Sequence, residues 1–209
     1  MNDERGSLWR KWDLHVHTPA SIEQQYGGDT AWERYVQDLA SLPPEFKVVG
    51  VNDYIFLDGY KRLKAEKDAG RLPNIDLLLP VIELRIDKFV GTEGHLGRVN
   101  YHVIFSDEVL LNDIEQQFLN GLTLGYQLSP EYQQLKHRWR SLLTRDSLEQ
   151  LGRLIIETAP PGKRHQFDDP LTEGFRNVNV SFDRIQDLLK NPIFEGRYLC
   201  AVGRPNGIK

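Results

Sequence analysis

Apolar runs of strand length alternate with amphipathic stretches of helix length along most of this chain, and that alternation predicts a parallel α/β architecture. Leu8 to His17 reads as the first strand. After a Gly27-Gly28 turn, Thr30-Ala31-Trp32-Glu33 has the Ser/Thr-x-x-Glu form of a capping box and predicts a helix to about Leu42, stopped by Pro43-Pro44. Phe46 to Val51 is β-branched and apolar, hence a buried strand. Asp58 is placed to cap a second helix that ends at Gly70, with Lys61, Arg62, Lys64 and Lys67 on its wet side. Ile75 to Ile86 reads as a strand broken by Pro80, and Gly91, Gly94 and Gly97 predict a loop before the strand Val99 to Phe105. Farther on, Val109 to Leu119 predicts a helix, and Ser129 to Ala159 predicts one or two, the second with Asp146 and Glu149 in capping positions. A polar loop from Pro160 to Gly174, a short strand at Asn177 to Ser181, a helix from Phe182 to Lys190 and a strand at Tyr198 to Val202 complete the reading.

A length of 209 residues predicts a single domain over 1–209, and 40% hydrophobic residues are enough to build its core. The net charge of -4 argues against a chain coated in nucleic acid, although local basic patches remain compatible with it. Cys200 is the sole cysteine, so no internal disulfide can form. The amino-terminal Met1-Asn2-Asp3-Glu4-Arg5-Gly6 lacks the apolar core of a signal peptide, and no apolar run of about 18 residues occurs. These features predict a cytoplasmic protein with no membrane partner.

The chemistry-bearing residues stand at the ends of the predicted strands. His15 and His17 are two apart on the first, so they project from one face about 6 to 7 Å apart along the backbone and can grip one divalent ion. Asp13 and Thr18 flank the pair, where they can orient the rings. The second strand ends in Val51-Asn52-Asp53-Tyr54. The third places Glu83 inside the apolar run Pro80-Val81-Ile82-Glu83-Leu84, where an unpaired charge is expensive, and the fourth carries His102 among β-branched neighbours. A metal centre accounts for His15, His17, Glu83 and His102 together. A structural account needs a buried ion pair between Glu83 and Arg85 or Arg98, and a satisfied core histidine at position 102.

In order and spacing these motifs resemble the PHP family, the polymerase and histidinol phosphatase metal-dependent phosphoesterases. The likeness rests on Asp13-Leu14-His15-Val16-His17-Thr18, in part on Asn52-Asp53-Tyr54, and on Val81-Ile82-Glu83 and His102-Val103-Ile104, so it covers about Trp12 to Asp107. It implies a distorted TIM-like (β/α)7 barrel holding two or three ions of manganese, zinc or iron, with His15, His17, Glu83 and His102 as ligands and Glu83 bridging. It also implies hydrolysis of a phosphate ester by metal-activated water. Asp53 is then the candidate for a general base or for a residue that supports the ligands.

The departures are specific. Tyr54 stands where the family pattern has a histidine, and its hydroxyl, titrating near 10, is a poor ligand at neutral pH. The pattern's closing Asp-x-His is missing, and Gly203 to Lys209 reads as an unfinished loop, so the barrel is expected to be incomplete at the carboxyl end and the chain an amino-terminal fragment. The opening Trp-Asp-Leu-His-Val-His-Thr-Pro-Ala-Ser with a long insertion around Gln116 to Ala159 also resembles the PHP domain of TrlF-like proteins, which implies a downstream ATPase domain of the SMC type. The resemblance implies a phosphorylated substrate, a nucleic acid or nucleotide among the candidates; the basic cluster Lys136, His137, Arg138, Arg140 and Arg145 around Trp139 reads first as a solvated helix face and second as a patch able to hold a nucleic-acid backbone. Two other functions fit parts of the pattern: a degenerate PHP module serving as an interaction domain, and an amidohydrolase-like hydrolase, whose superfamily also opens on His-x-His.

Overall fold

The computed structural model describes residues 9–92, 95–126, 139–203 and 206–207. Lys136, His137 and Arg138 of the basic cluster lie outside the described residues. The fold is α/β, and its contacts divide it into two compact units, one of residues up to Ile82 with Ile104–Asp107, the other of Glu83–Val103 with Glu108 onward. Two strands, β3 (Leu77–Thr92) and β4 (His95–Phe105), run through the division.

In the first unit, β1 (Lys11–Val16) lies parallel to β2 (Phe46–Val51), pairing Asp13 with Val49 and Val16 with Val51. β2 in turn lies parallel to the start of β3, with Val51 opposite Pro80. Between these strands run α1 (Ala31–Ala40) and α2 (Asp58–Asp68). Val48, Val49 and Val51 are buried, and Gly50 lets β1 approach, because a Cβ there would lie 2.7 Å from the Leu14 backbone. Val48, Leu79, Val81 and Ile104 form the core, with Leu14 and Leu77 packed on it; each fully buried aliphatic contributes on the order of 2 kcal/mol. α1 buries the stripe Ala31, Tyr35, Val36 and Leu39, and α2 ends at Gly70, whose φ of 80° suits glycine.

Three expectations change here. Thr30 makes no side-chain cap, and Glu33 instead pairs with Arg71 of the next connection at 2.7 Å. α2 likewise starts without a side-chain cap, with Leu57 rather than Asp58 in the capping position. β3 is not broken at Pro80, because a missing N–H removes one ladder bond while Leu78 to Leu84 on either side stay extended and buried.

In the second unit, β3 pairs with β4 and, through Ile86 opposite Val180, with the parallel β7 (Val178–Val180). β5 (Thr123–Tyr126) joins β7 antiparallel, and β6 (Arg140–Leu142) joins β5 antiparallel, so this part is a mixed sheet. β8 (Tyr198–Val202) and β9 (Asn206–Gly207) pair with β4. The predicted helix after Val109 is a short irregular one: α3 (Leu111–Asp113), a π turn over Ile114–Phe118 and a 3-10 turn over Leu119–Gly121.

The helix α4 (Arg145–Thr158) is capped by Thr144 and Ser147 in reciprocal hydrogen bonds rather than by Asp146 or Glu149. Part of the predicted polar loop is helical, a 3-10 turn at Pro161–Gln166 and α5 (Pro170–Asn177), capped by Asp169. α4 and α5 meet at glycines: a Cβ at Gly152 would lie 1.8 Å from the Pro170 carbonyl oxygen, and one at Gly174 1.8 Å from that of Leu148. Ser181 caps α6 (Phe182–Leu189). No helix among the described residues is long and apolar enough to cross a membrane.

Candidate metal-binding residues

The sequence-predicted residues fall into two groups, one in each unit. In the first, β1 carries His15, which is exposed, and the residue just past its end is His17, half-buried. Their rings meet edge to face with centroids 5.1 Å apart, so the His-x-His pair does converge. Asn52, fully buried at the end of β2, places its amide nitrogen 3.3 and 3.2 Å from the two ring nitrogens of His15. Asp13 accepts a hydrogen bond from the His15 backbone at 3.2 Å, and Ser21 sets its hydroxyl 3.2 Å from Nδ1 of His17.

Asp53 is 1% exposed and accepts from Thr18 twice, from the backbone N–H at 2.8 Å and from the hydroxyl at 2.6 Å. Thr18 is itself fully buried, and its hydroxyl oxygen accepts the Ala20 N–H at 3.1 Å, so Asp53 fastens the chain that follows β1 to the end of β2. The first turn of α2 closes over this pair: a Cβ at Gly59 would lie 1.7 Å from Oδ2 of Asp53 and 2.1 Å from Oγ1 of Thr18. Gly59 is therefore required by close approach, at an ordinary φ. Both carboxylate oxygens are turned to Thr18, so Asp53 fixes the conformation of the loop that carries His17. Tyr54, buried beside Asp53, packs its ring 4.8 Å from that of His17.

In the second group, Glu83 on β3 and His102 on β4 are 4% and 6% exposed, and Oε2 of the carboxylate lies 3.4 Å from Nε2 of the imidazole. The other carboxylate oxygen accepts the Asn100 amide at 2.8 Å. Alternation along β4 puts Asn100 and His102 on one face, which is how they reach the same partner. Gly203, at the end of β8, donates its N–H to the Asn100 carbonyl at 2.9 Å, and a Cβ on it would lie 3.0 Å from Cε1 of His102. Arg85 donates to the Arg176 carbonyl and stacks on Phe175, while Arg98 donates to the carbonyls of Asn177 and Val178 at 2.9 and 3.1 Å. Both arginines thus tie β3 and β4 to the junction of α5 and β7.

Three supporting residues were given no role by the sequence reading. Ser21 gives no signal beyond being four residues after His17. Asn52 was visible as a polar residue closing an apolar strand, and Asn100 as the residue two before His102. No family model, curated protein or solved structure matches the chain.

Proposed function

We propose that this chain is a divalent-metal-dependent phosphoesterase module of the PHP type, built on the distorted (β/α)7 barrel of that family. The observation that carries the reading is the Glu83–His102 pair: a carboxylate and an imidazole, each nearly inaccessible to water, brought to 3.4 Å, with Asn100 orienting the carboxylate. A buried carboxylate is costly unless a cation compensates it, and an imidazole beside it is a common metal-ligand arrangement. These donors fit manganese, zinc or iron, which accept mixed nitrogen and oxygen ligands. Following the family pattern, we assign His15, His17, Glu83 and His102 as the residues that would hold the metal.

A divalent ion bound there supplies Lewis-acid polarisation of a phosphoryl oxygen and activation of water. The chain's own residues do the rest. Asn52 and Ser21 orient the two imidazoles, Asp53 anchors the loop that bears His17, and Asn100 fixes the rotamer of Glu83. The substrate class is a phosphate ester, with a nucleotide or nucleic-acid strand drawn on the exposed Arg140 and Arg145, which lie close in sequence to Trp139. A second reading, an interaction module serving an ATPase of the SMC type, draws on one observation: the buried Tyr54 at the histidine position of the family pattern.

The test is metal content and turnover together. Protein dialysed against manganese or zinc should retain the ion and hydrolyse a generic phosphodiester, and Glu83→Gln should lose both. Retention of metal without hydrolysis of any phosphate ester would favour the interaction module; equal metal content in wild type and in His15→Ala/His17→Ala would overturn the assignment of those ligands.

A further inference from the structure

Tyr54 is the one non-glycine residue with positive φ among the described residues, at 61°. A side chain with a ring rarely adopts this left-handed conformation, because its Cβ crowds the following carbonyl, and such strain persists only where the surroundings over-determine it. Here they do. The Tyr54 N–H donates to Oδ1 of Asn52 at 3.1 Å, and a backbone bridge joins Asp53 to Phe56 just beyond. Glycine or asparagine would hold the same turn with less strain. Neither would supply what the tyrosine does.

The left-handed turn sends the phenol back toward the loop that follows β1. Its ring lies against His17 with centroids 4.8 Å apart and planes inclined by 42°, and its hydroxyl points to Oε2 of Glu23 at 3.5 Å. His17 is thereby held from two directions, by the tyrosine ring on its face and by Ser21 at Nδ1. Asn52 serves both histidines, with its amide nitrogen on His15 and its amide oxygen on the Tyr54 backbone.

We propose that Tyr54 is a positioning residue for His17: the strained turn holds the imidazole in one orientation, with Nδ1 at the Ser21 hydroxyl and Nε2 left as the nitrogen to present to a metal ion. This rests on the metal-binding reading for its purpose, but not for its test. On this account the tyrosine is a lock on a neighbouring ligand as well as a departure from the family pattern.

The experiment follows the placement of the His17 ring by nuclear Overhauser contacts from its ring protons to Tyr54 and Ser21 in metal-free protein, alongside zinc titration and thermal melting. Wild type should show one ring placement, in contact with both. Tyr54→Phe, which keeps the ring, should preserve it, while Tyr54→Leu should give averaged contacts and about a tenfold loss of zinc affinity, the scale seen for groups that orient metal-bound histidines. A wild-type His17 ring already averaging between placements would overturn the proposal without any variant. So would a folded Tyr54→Leu whose His17 contacts to Ser21 and zinc affinity match wild type. If wild type binds no zinc but the ring is released in Tyr54→Leu, the clamp stands and the metal reading fails.

Discussion

The two groups of candidate ligands are stabilised in opposite ways. His15 and His17 stand in the first unit at an accessible strand end, where water solvates an imidazole at no cost and only a frame of neighbours gives the rings a fixed direction. That frame is Asn52, Asp53, Thr18, Ser21 and Tyr54, tied by hydrogen bonds and closed by Gly59. Glu83 and His102 stand in the second unit inside apolar strands, where packing fixes direction and the carboxylate charge is met by neighbours, the Asn100 amide at one oxygen and the His102 imidazole at the other. Exposed ligands need scaffolding, and buried ligands need compensation. Substitutions should therefore separate stability from metal binding in different senses in the two units.

The largest effect is expected at Gly59, where any Cβ collides with both Asp53 and Thr18. Gly59→Ala should destabilise the first unit by about 3 kcal/mol, at the upper end for overpacking, and should weaken metal binding with it. Chemical denaturation followed by tryptophan fluorescence measures the first, and zinc titration the second. Next comes Asp53→Asn, which keeps the shape but turns one acceptor into a donor facing the Thr18 hydroxyl or N–H; a loss of about 2 kcal/mol is expected. Were Asp53→Asn as stable as wild type and merely inactive, the carboxylate would belong to the chemistry and not to the frame.

Glu83→Gln should behave in the reverse sense. In metal-free protein the amide is less costly to bury than the carboxylate, so stability should hold or rise by up to about 1 kcal/mol, while metal binding is lost. A marked destabilisation would mean that the carboxylate is compensated within the fold itself, as the structural account of Glu83 requires.

The smallest effect is a pH dependence away from the metal ligands. Burial, with lesser contributions from Asp107 and Asp68, pushes the Tyr60 hydroxyl up from 10.0 to about 12. The folded state favours the neutral phenol, so its contribution is intact below pH 10 and is lost as the pH rises through about 12. Tyr60→Phe should flatten that alkaline limb in a series of denaturation curves, and burial of Tyr35, which acts in the same direction, should leave a residual slope.

Local pattern located the strands that matter: β2 and β8 occupy the predicted residues, and β1 is the predicted strand trimmed at both ends. Pattern failed where a distant partner outcompeted a local one. Glu33 is the clearest case, since a capping box gains two hydrogen bonds within one turn, yet Nη2 of Arg71, 38 residues away, reaches both oxygens of the carboxylate while Nη1 holds Glu66. Likewise β3 continues to Thr92 because β4 pairs with it, something that the glycines at 91, 94 and 97 conceal. The convergence of His15 with His17 followed from strand periodicity alone, whereas the pairing of Glu83 with His102 depended on a register between strands that no single strand encodes. Ser21 and Tyr54 act through loop geometry, and a left-handed tyrosine has no sequence signature.

The most direct measurement of the central claim is X-ray absorption at the zinc edge on protein loaded with one equivalent of the ion. A centre made by His15, His17, Glu83 and His102 predicts nitrogen and oxygen neighbours at about 2.0 to 2.1 Å with the outer-shell scattering of imidazole rings. That scattering should diminish in His15→Ala/His17→Ala and in His102→Ala. A first shell of oxygen alone, without imidazole scattering, or a spectrum that none of these substitutions changes, would contradict it.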